Sequence, residues 1–382
     1  MALKISNRGQ VPPFVVMDVM RAATEREQAG ENVMHMEIGQ PDTSAPSGVI
    51  AAAKETLDQD RLGYTQALGI PPLRNAIAGH YQDTYGLSVN PEHVVVTTGS
   101  SCGFLLAFLS AFDAGDRVAL ASPGYPAYRN ILRAVNIEVV ELPVGPETNF
   151  QPTPEILKEL GADLDGLIIA SPSNPTGTMM SADQLRALVD YCKVQDIRLI
   201  SDEIYHGITY VDDATSVLSF TDDAIIINSF SKYFSMTGWR LGWIIAPDDL
   251  LRSMECLAQN MFISPPTLSQ CAAVAAFDCR EELDLNIERY AANRELLLRE
   301  LPKAGFDKLA SADGAFYIYA DVSAFTDDSS AYCRRMLLET GVAATPGIDF
   351  DPIRGNAFVR FSFARSTEDM AEAARRLIAW QG

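Results

Sequence analysis

Short runs of β-branched and aliphatic residues recur through the middle of the chain, separated by stretches whose apolar positions fall every three or four residues. "HVVVTT" precedes the helical run "SSCGFLLAFLSAF". "RVALASP" precedes "AYRNILRAV", which leads to a further strand at "IEVVELPV". "LDGLIIASPS" precedes "SADQLRALVDYCKVQ", where Ser181 is the expected N-cap. "IRLISDEIY", "AIIINSFS" and "GWIIAPD" are further apolar runs. Strands apolar on both faces and separated by helices predict an α/β fold with a mostly parallel sheet. The C-terminal part follows another pattern. A long helical stretch, "EELDLNIERYAANRELLLREL", leads to strands "AFYIYADV" and "AFVRFSFA" with helices "SAYCRRMLLETG" and "TEDMAEAARRLIAW". This predicts a smaller α+β unit. The N-terminal helix "FVVMDVMRAATEREQAG" is a candidate to pack with it.

The length, 382 residues, suits one large α/β domain plus a smaller one. The composition is that of a soluble globular enzyme. Thirty basic residues against 50 acidic ones give a formal charge of −20. Such a surface repels nucleic acid and anionic membranes, and any anionic ligand then needs a locally positive pocket. The six cysteines are scattered without a CxxC pair. That is neither a zinc ligand set nor a disulfide framework, so reduced, buried thiols and no metal are expected. The apolar run near the N-terminus is short and Asp18 interrupts it, so it lacks the shape of a signal peptide. "GFLLAFLSAF" is too short to span a bilayer. A cytoplasmic protein is expected.

The candidate chemistry begins with a decoy. "GSSCG", Gly99–Gly103, fits the G-x-S-x-G elbow of serine hydrolases, with Ser101 as nucleophile. That chemistry needs an acid and then a histidine downstream. Of the four histidines only His206 follows Ser101, flanked by Tyr205 at an apparent strand end. The better reading is a helix N-terminus whose small residues expose backbone N–H groups to an anion such as phosphate. "SFSKYFSMTGWRLGW" places Lys232 just after an apolar strand, with Ser229 and Ser231 before it and Arg240 after it. Lys232 is either a solvated charge or a desolvated, nucleophilic amine. Arg240 favours the second reading, since arginine and serine hydroxyls bind phosphate. These are the parts of a pocket for a phosphorylated aldehyde. Asp202 in "LISDEIY" closes a strand, where open α/β sheets place their sites. It is a candidate to hold a protonated ring nitrogen, whereas Asp212 and Asp213 read as solvated loop acids. Asn174 in "SPSNPTG" reads as a turn residue. Tyr125 in "SPGYPAY" either stacks on an aromatic ligand or packs under a loop. Arg360 alternates with Phe361 and Phe363, and either points to water or clamps a carboxylate.

In order, "IGQPD", "YTQALGIPPLR", "TTGSSCG", "SPGYPAY", "SPSNPTGT", "SDEIY", "SFSKYFSMTGWRLGW" and "VRFSFA" resemble the class I pyridoxal-phosphate aminotransferases of the aspartate/alanine/aromatic type, fold type I, over nearly the whole chain. The resemblance implies a large cofactor-binding domain over 46–279 and a small domain formed by 1–45 with 280–382. It implies pyridoxal 5'-phosphate as cofactor. Lys232 matches the Schiff-base lysine. Arg240, Ser229, Ser100 and the N–H groups near Ser101 match the phosphate cradle. Asp202 matches the partner of the pyridine nitrogen, which keeps the ring an electron sink. Tyr205 and Asn174 match the pair on the ring's phenolic oxygen, and Tyr125 the aromatic stacked on its face. Arg360 matches the arginine for the substrate α-carboxylate, with Gly39 beside it and Asn174 close by. Tyr64 matches a tyrosine that reaches the phosphate of a neighbouring subunit, which implies a homodimer.

The implied reaction is ping-pong transfer of an amino group from an α-amino acid to a 2-oxo acid through a lysine aldimine, with Lys232 moving the proton. No arginine is assigned to a distal substrate carboxylate, and "AQNMFISPPTLSQ" is apolar, so a neutral or aromatic substrate is expected. The same fold also hosts a carbon–sulfur β-lyase, an aminocyclopropane-carboxylate synthase and a decarboxylase. Such domains also occur as ligand sensors fused to DNA-binding regulators. That role calls for a basic winged-helix segment, which this acidic sequence does not display.

Overall fold

The computed structural model describes residues 3–59, 62–161 and 163–381. Its strands are β1 (Met34–His35), β2 (Val94–Thr97), β3 (Arg117–Ser122), β4 (Glu138–Pro143), β5 (Gly166–Ala170), β6 (Arg198–Asp202), β7 (Ile225–Ser229), β8 (Gly242–Ile245), β9 (Tyr317–Asp321), β10 (Val342–Ala343), β11 (Thr345–Pro346) and β12 (Phe358–Ser362). Seven of them form one sheet in the order β2-β8-β7-β6-β5-β3-β4. The pairings from β7 through β6, β5 and β3 to β4 are all parallel.

The sequence did not reveal the direction of β8, which runs antiparallel to both β7 and β2. Its cause lies in the connection. Only residues 230–241 separate β7 from β8, and they contain no helix beyond a single 3-10 turn, Thr237–Trp239. A parallel return needs a crossover, usually helical. The chain instead folds back at the edge where β7 ends, and Lys232 and Arg240 therefore stand at the same end of the sheet.

The helices are α1 (Val15–Gln28), α2 (Ser47–Gln59), α3 (Pro71–Tyr85), α4 (Gly99–Ala111), α5 (Pro126–Ala134), α6 (Pro154–Leu160), α7 (Ala182–Val194), α8 (Asp248–Met261), α9 (Thr267–Ala273), α10 (Arg280–Glu300), α11 (Ser329–Thr340) and α12 (Thr367–Gln381). They cover both faces of the large sheet. Ile225 and Ile227 of β7 join a core with Phe104 and Phe108 of α4 and Met254 of α8. Ile226 points the other way, into a core with Leu73 of α3 and Leu188 of α7. This is the two-residue period of a strand buried on both sides. Trp243 of β8 is fully buried in the second of these cores, 4.9 Å from the Phe230 ring centroid. Burial of a side chain of this size stabilises by roughly 2–3 kcal/mol. Ser181 caps α7 as expected and forms a reciprocal capping box with Gln184.

A further core gathers on the three-stranded antiparallel sheet β11-β12-β9. α10 connects the two regions. Its Leu283 lies in the core shared by α3 and α7, and its Tyr290 and Leu297 lie in the one on the smaller sheet. Ile204, Tyr205 and Ile208, just past β6, also join the smaller sheet's core. The end of β6 thus meets the smaller sheet. α1 packs where the sequence suggested, through Ala23 against Val33, Leu337 and Ala343. Its first turn has no cap from Phe14; the Asp349 carboxylate instead accepts from Val15 N at 3.1 Å and Val16 N at 3.3 Å.

His35 ties α1 to β1. Its Nε2 lies 3.0 Å from Glu27 and its Nδ1 2.8 Å from the buried Glu37. The Glu37 hydrogen bond raises its pKa against the opposing effect of burial, and Glu27 adds to the rise. A raised folded value stabilises fully below the ordinary histidine value of 6.5, and the contribution fades as pH rises through the raised value. His35→Gln should therefore lower the thermal midpoint at pH 6, with the gap to the parent narrowing toward pH 9. A pH-independent gap would dismiss the ion pairs as its cause.

No disulfide joins the six cysteines. Cys192 and Cys333 are buried as expected, but Cys102, Cys256, Cys271 and Cys279 are only half-buried. Among the described residues no helix is long and apolar enough to cross a membrane.

Candidate active site

Lys232 is the centre of a cluster at the end of β7. Its Nζ donates to the Gly39 carbonyl at 2.6 Å and lies 5.5 and 5.8 Å from the ring centroids of Tyr205 and Phe316. Burial lowers its pKa to about 8, helped by the nearby charges of Arg360 and Arg240 and opposed by Asp202. This is a desolvated amine with an appreciable neutral fraction near neutral pH, and the solvated-charge alternative does not hold.

The residues expected to cradle an anion meet where β2 runs into α4. Gly242 of β8 pairs with Thr97 on one side and Ser229 on the other, so the start of α4 stands beside the end of β7. Gly99 has a φ of +74°, and a Cβ there would sit 2.6 Å from Arg240 Nη2. Only glycine lets the guanidinium lie against the first turn of the helix. Arg240 also donates through Nη1 to the Thr237 carbonyl at 3.1 Å. The Ser229 hydroxyl lies 3.0 Å from that of Ser231 and 3.2 Å from the Leu241 carbonyl. Ser100 is half-buried and Ser101 exposed in the same first turn, which contains no acidic residue. Helix N–H groups, a guanidinium and hydroxyls with no acidic residue in the same first turn are groups that could hold a phosphate.

The hydrolase elbow fails on geometry. His206 lies beyond β6 in a turn, not at the strand end, and is buried. Its Nδ1 is 2.8 Å from the Tyr85 hydroxyl and its Nε2 3.0 Å from the Ser171 carbonyl. Burial lowers its pKa to about 4. Both nitrogens have partners and neither serves Ser101.

Asp202 closes β6 with 3% of its surface exposed. Its carboxylate accepts from Ile204 N at 3.1 Å and from the Tyr128 hydroxyl. Burial raises its pKa to about 6; the Tyr128 and Ile204 hydrogen bonds and the Lys232 charge hold it below what burial alone would give. Asp212 and Asp213 are exposed, as expected of loop acids.

Arg360 does not point to water. It is 3% exposed, on β12, with its guanidinium 4.4 Å from the Tyr317 ring centroid and 4.7 Å from that of Phe350. Nη1 donates to Asn174 Oδ1 at 2.9 Å, and Nη2 to the Glu37 carbonyl and to Thr345 Oγ1. Its Nε has no partner although it is buried. A buried, unpaired N–H on a full positive charge is what an entering carboxylate would satisfy. The Tyr205 hydroxyl lies 2.6 Å from that of Tyr317. Gly39 is glycine for a steric reason, since a Cβ there would meet the Tyr317 hydroxyl at 1.9 Å. Tyr125 is half-buried, edge-on to Tyr128 at 5.3 Å and 5.9 Å from Phe14.

Hydrogen bonds and ring contacts thus join Lys232, Gly39, Tyr205, Asn174 and Arg360, with Asp202 and Tyr125 linked through Tyr128. Gly99, Ser100, Ser229 and Arg240 form the adjoining cradle. Tyr64 stands apart, 84% exposed on the loop before α3. Sequence reasoning missed Tyr128 and Tyr317. Tyr128 had a signal, because it lies three residues after Tyr125 in the same motif. Tyr317 had none, being 112 residues from its partner Tyr205. A cavity of ≈ 590 Å³ opens elsewhere, walled in part by His80, Asp83, His206, Tyr233, Phe277 and Arg280, and includes none of Lys232, Asp202, Arg240 or Arg360.

Comparison with known proteins places the whole chain in one family. The family described as aminotransferase class I and II matches residues 31–377. Over 381 residues, 99% of this chain and 98% of the relative, the sequence is 53% identical to the valine–pyruvate aminotransferase of Mycobacterium tuberculosis. It is 33% identical over 97% of both chains to the aspartate/prephenate aminotransferase of Thermus thermophilus. The crystal structure of an aminotransferase from Mycobacterium tuberculosis superposes with a TM-score of 0.97 at 52% identity, covering 99% of each chain. That of the Thermus thermophilus aspartate aminotransferase with maleate gives 0.93 at 32% identity, over 99% of this chain and 100% of the other. With sequence and fold matched from one end to the other, the chain belongs to the class I and II aminotransferases and is a transaminase.

Proposed function

We propose that this transaminase binds pyridoxal 5'-phosphate in the Lys232 cluster and moves the amino group of a neutral, aliphatic amino acid to pyruvate. The residues fit the cofactor. The Gly99–Arg240 contact is a cradle that any larger residue at 99 would fill, and Asp202 is a buried carboxylate with acceptor capacity to spare. When bound, the cofactor supplies an electron-accepting ring that stabilises charge at the substrate's α-carbon.

The chain's own residues do the rest. Arg240, Ser229, Ser100 and the N–H groups at Ser101 hold the phosphate. Tyr125 covers one ring face. Tyr205 and Asn174 hold the phenolic oxygen, and Asp202 holds the positive ring nitrogen. Arg360 orients the substrate by its α-carboxylate beside Gly39, using the Nε that burial leaves unpaired. Lys232, as a neutral amine, would take the proton from the substrate's α-carbon and hold it at Nζ. Residues 46–279 serve as the cofactor-binding domain, and 1–45 with 280–382 as the small domain. The enzyme works as a cytoplasmic homodimer in which Tyr64, 84% exposed in the single chain, reaches the neighbouring copy's phosphate.

The observation that carries the substrate class is the set of arginines. Arg240 lies on the cradle and Arg360 is taken by the α-carboxylate. Arg129, near Arg360, donates to the carbonyls of Asp349 and Phe350. Within a single chain, none of these three arginines is left for a second substrate carboxylate. Burying one without a partner costs several kcal/mol. The 53% identical relative is named for valine and pyruvate, in accord with this. With pyruvate as acceptor, kcat/KM for valine should exceed that for aspartate by at least ~100-fold. Equal values would overturn the substrate class. Ammonia released from the donor without any acceptor would indicate a lyase instead.

A further inference from the structure

Tyr128 belongs to no role considered so far. It lies in the first turn of α5, three residues after Tyr125, which is the residue before the helix and has extended backbone. It is 5% exposed, and its ring packs 4.8 Å from Phe104 and edge-on against Tyr125 at 5.3 Å and 81°. Its hydroxyl donates to Asp202 Oδ2, across 74 residues of sequence. The other contact of that carboxylate is local, from Ile204 N. Tyr128 therefore touches, with one side chain, the group assigned to the cofactor's ring face and the group assigned to its ring nitrogen.

We propose that Tyr128 is a positioning residue for transamination: its hydroxyl fixes the rotation of the Asp202 carboxylate and its ring fixes the plane of Tyr125. This rests on reading Asp202 as the partner of the ring nitrogen. An ionised carboxylate has about four acceptor sites. Ile204 N and Tyr128 occupy two, which leaves acceptor capacity for a protonated ring nitrogen. Burial and the adjacent Asp202 charge push the Tyr128 phenol well above its ordinary pKa, so it stays a donor at every working pH. A hydroxyl that only donates to Asp202 favours the ionised carboxylate, and only the ionised form holds a protonated ring nitrogen. The plainer account is that Tyr128 is a core residue whose hydroxyl has found a convenient acceptor. That account predicts a change in stability alone.

Tyr128→Phe keeps the ring and removes the donor; Phe104→Leu loosens the ring and keeps the donor. Carboxyl ¹³C NMR of the cofactor-free protein follows Asp202, identified by the resonance missing from Asp202→Asn. A hydrogen bond to a charged group is worth about 1.5–3 kcal/mol. Tyr128→Phe should thus raise the Asp202 midpoint by about 1–2 pH units and leave it in place in Phe104→Leu. In the cofactor-loaded enzyme, Tyr128→Phe should lower kcat of the amino-acid half-reaction ~10-fold or more with KM little changed. An Asp202 midpoint unmoved by Tyr128→Phe, or moved equally by both variants, overturns the proposal, as does an unchanged kcat. A parent protein that binds no pyridoxal phosphate overturns the reading of Asp202 instead, and the NMR titration, which needs no cofactor, tells the two failures apart.

Discussion

Lys232→Ala should leave a folded protein with turnover reduced ~10²–10⁴-fold, the range a positioned acid–base group contributes. The loss should appear in the half-reaction with amino acid alone, followed by cofactor absorbance in a stopped-flow instrument. Lys232→Arg separates chemistry from architecture. Arginine keeps a positive charge and can reach the Gly39 carbonyl that Lys232 contacts at 2.6 Å. It cannot offer a neutral amine, because a guanidinium stays protonated at every working pH. Both variants should therefore be equally inactive, and an active Lys232→Arg would reduce Lys232 to a structural tether. Stability should move the other way. The folded pKa of about 8 lies below the ordinary 10.5, so the unfolded chain binds more protons between those values. The parent then gains stability as pH rises through that window and carries a burial penalty below it, on the order of 3 kcal/mol. At pH 7 the cofactor-free Lys232→Ala protein should melt no lower than the parent.

That lysine was legible in the sequence because everything that places it is local. An apolar run ends, serines follow, and an arginine comes eight residues later; the motif needs only the strand end to be read correctly. Asp202 was legible for the same reason. The fold class followed from the alternation of buried strands and helices, since Ile225, Ile226 and Ile227 can be apolar in succession only if both faces of β7 are covered. What stayed hidden depends on chain direction and distant pairing. Nothing in "GWIIAPD" states that β8 turns back on β7, yet that reversal brings Arg240 to the Lys232 edge. Arg360 alternates with phenylalanines and by pattern alone faces water as readily as a pocket. Its burial comes from Tyr317 and Phe350 on either side and from Asn174, 186 residues away. Tyr317 was passed over because a tyrosine among apolar neighbours has no signature until its hydroxyl is seen on a partner, and Tyr128 because its place in the Tyr125 motif does not by itself tell that its hydroxyl meets Asp202.

Arg360→Ala should raise KM for amino acid and 2-oxo acid together, by about 10²–10³-fold, with one cause for both: the two substrates share the α-carboxylate. The magnitude follows from breaking a buried, hydrogen-bonded charge pair, which costs about 3–5 kcal/mol. Arg360→Lys should recover only part of the loss, because the ammonium supplies charge without the planar fork that reaches Asn174, Thr345 and a carboxylate at once. Cofactor affinity, measured by equilibrium binding, should change much less than KM, and a parallel collapse of both would mean that Arg360 acts by holding Asn174 in place. A second consequence needs no substrate. The Arg360 charge is one of the causes that keep the Lys232 amine below its ordinary pKa. Removing a nearby positive charge favours the ammonium form, so in cofactor-free Arg360→Ala the Lys232 titration should move up from about 8. The rate of reductive methylation at Lys232 against pH, resolved by peptide mapping, reads this directly, since only the neutral amine reacts. A midpoint that stays put would show that burial alone sets the lysine, and that Arg360 and the Lys232 amine are electrically independent.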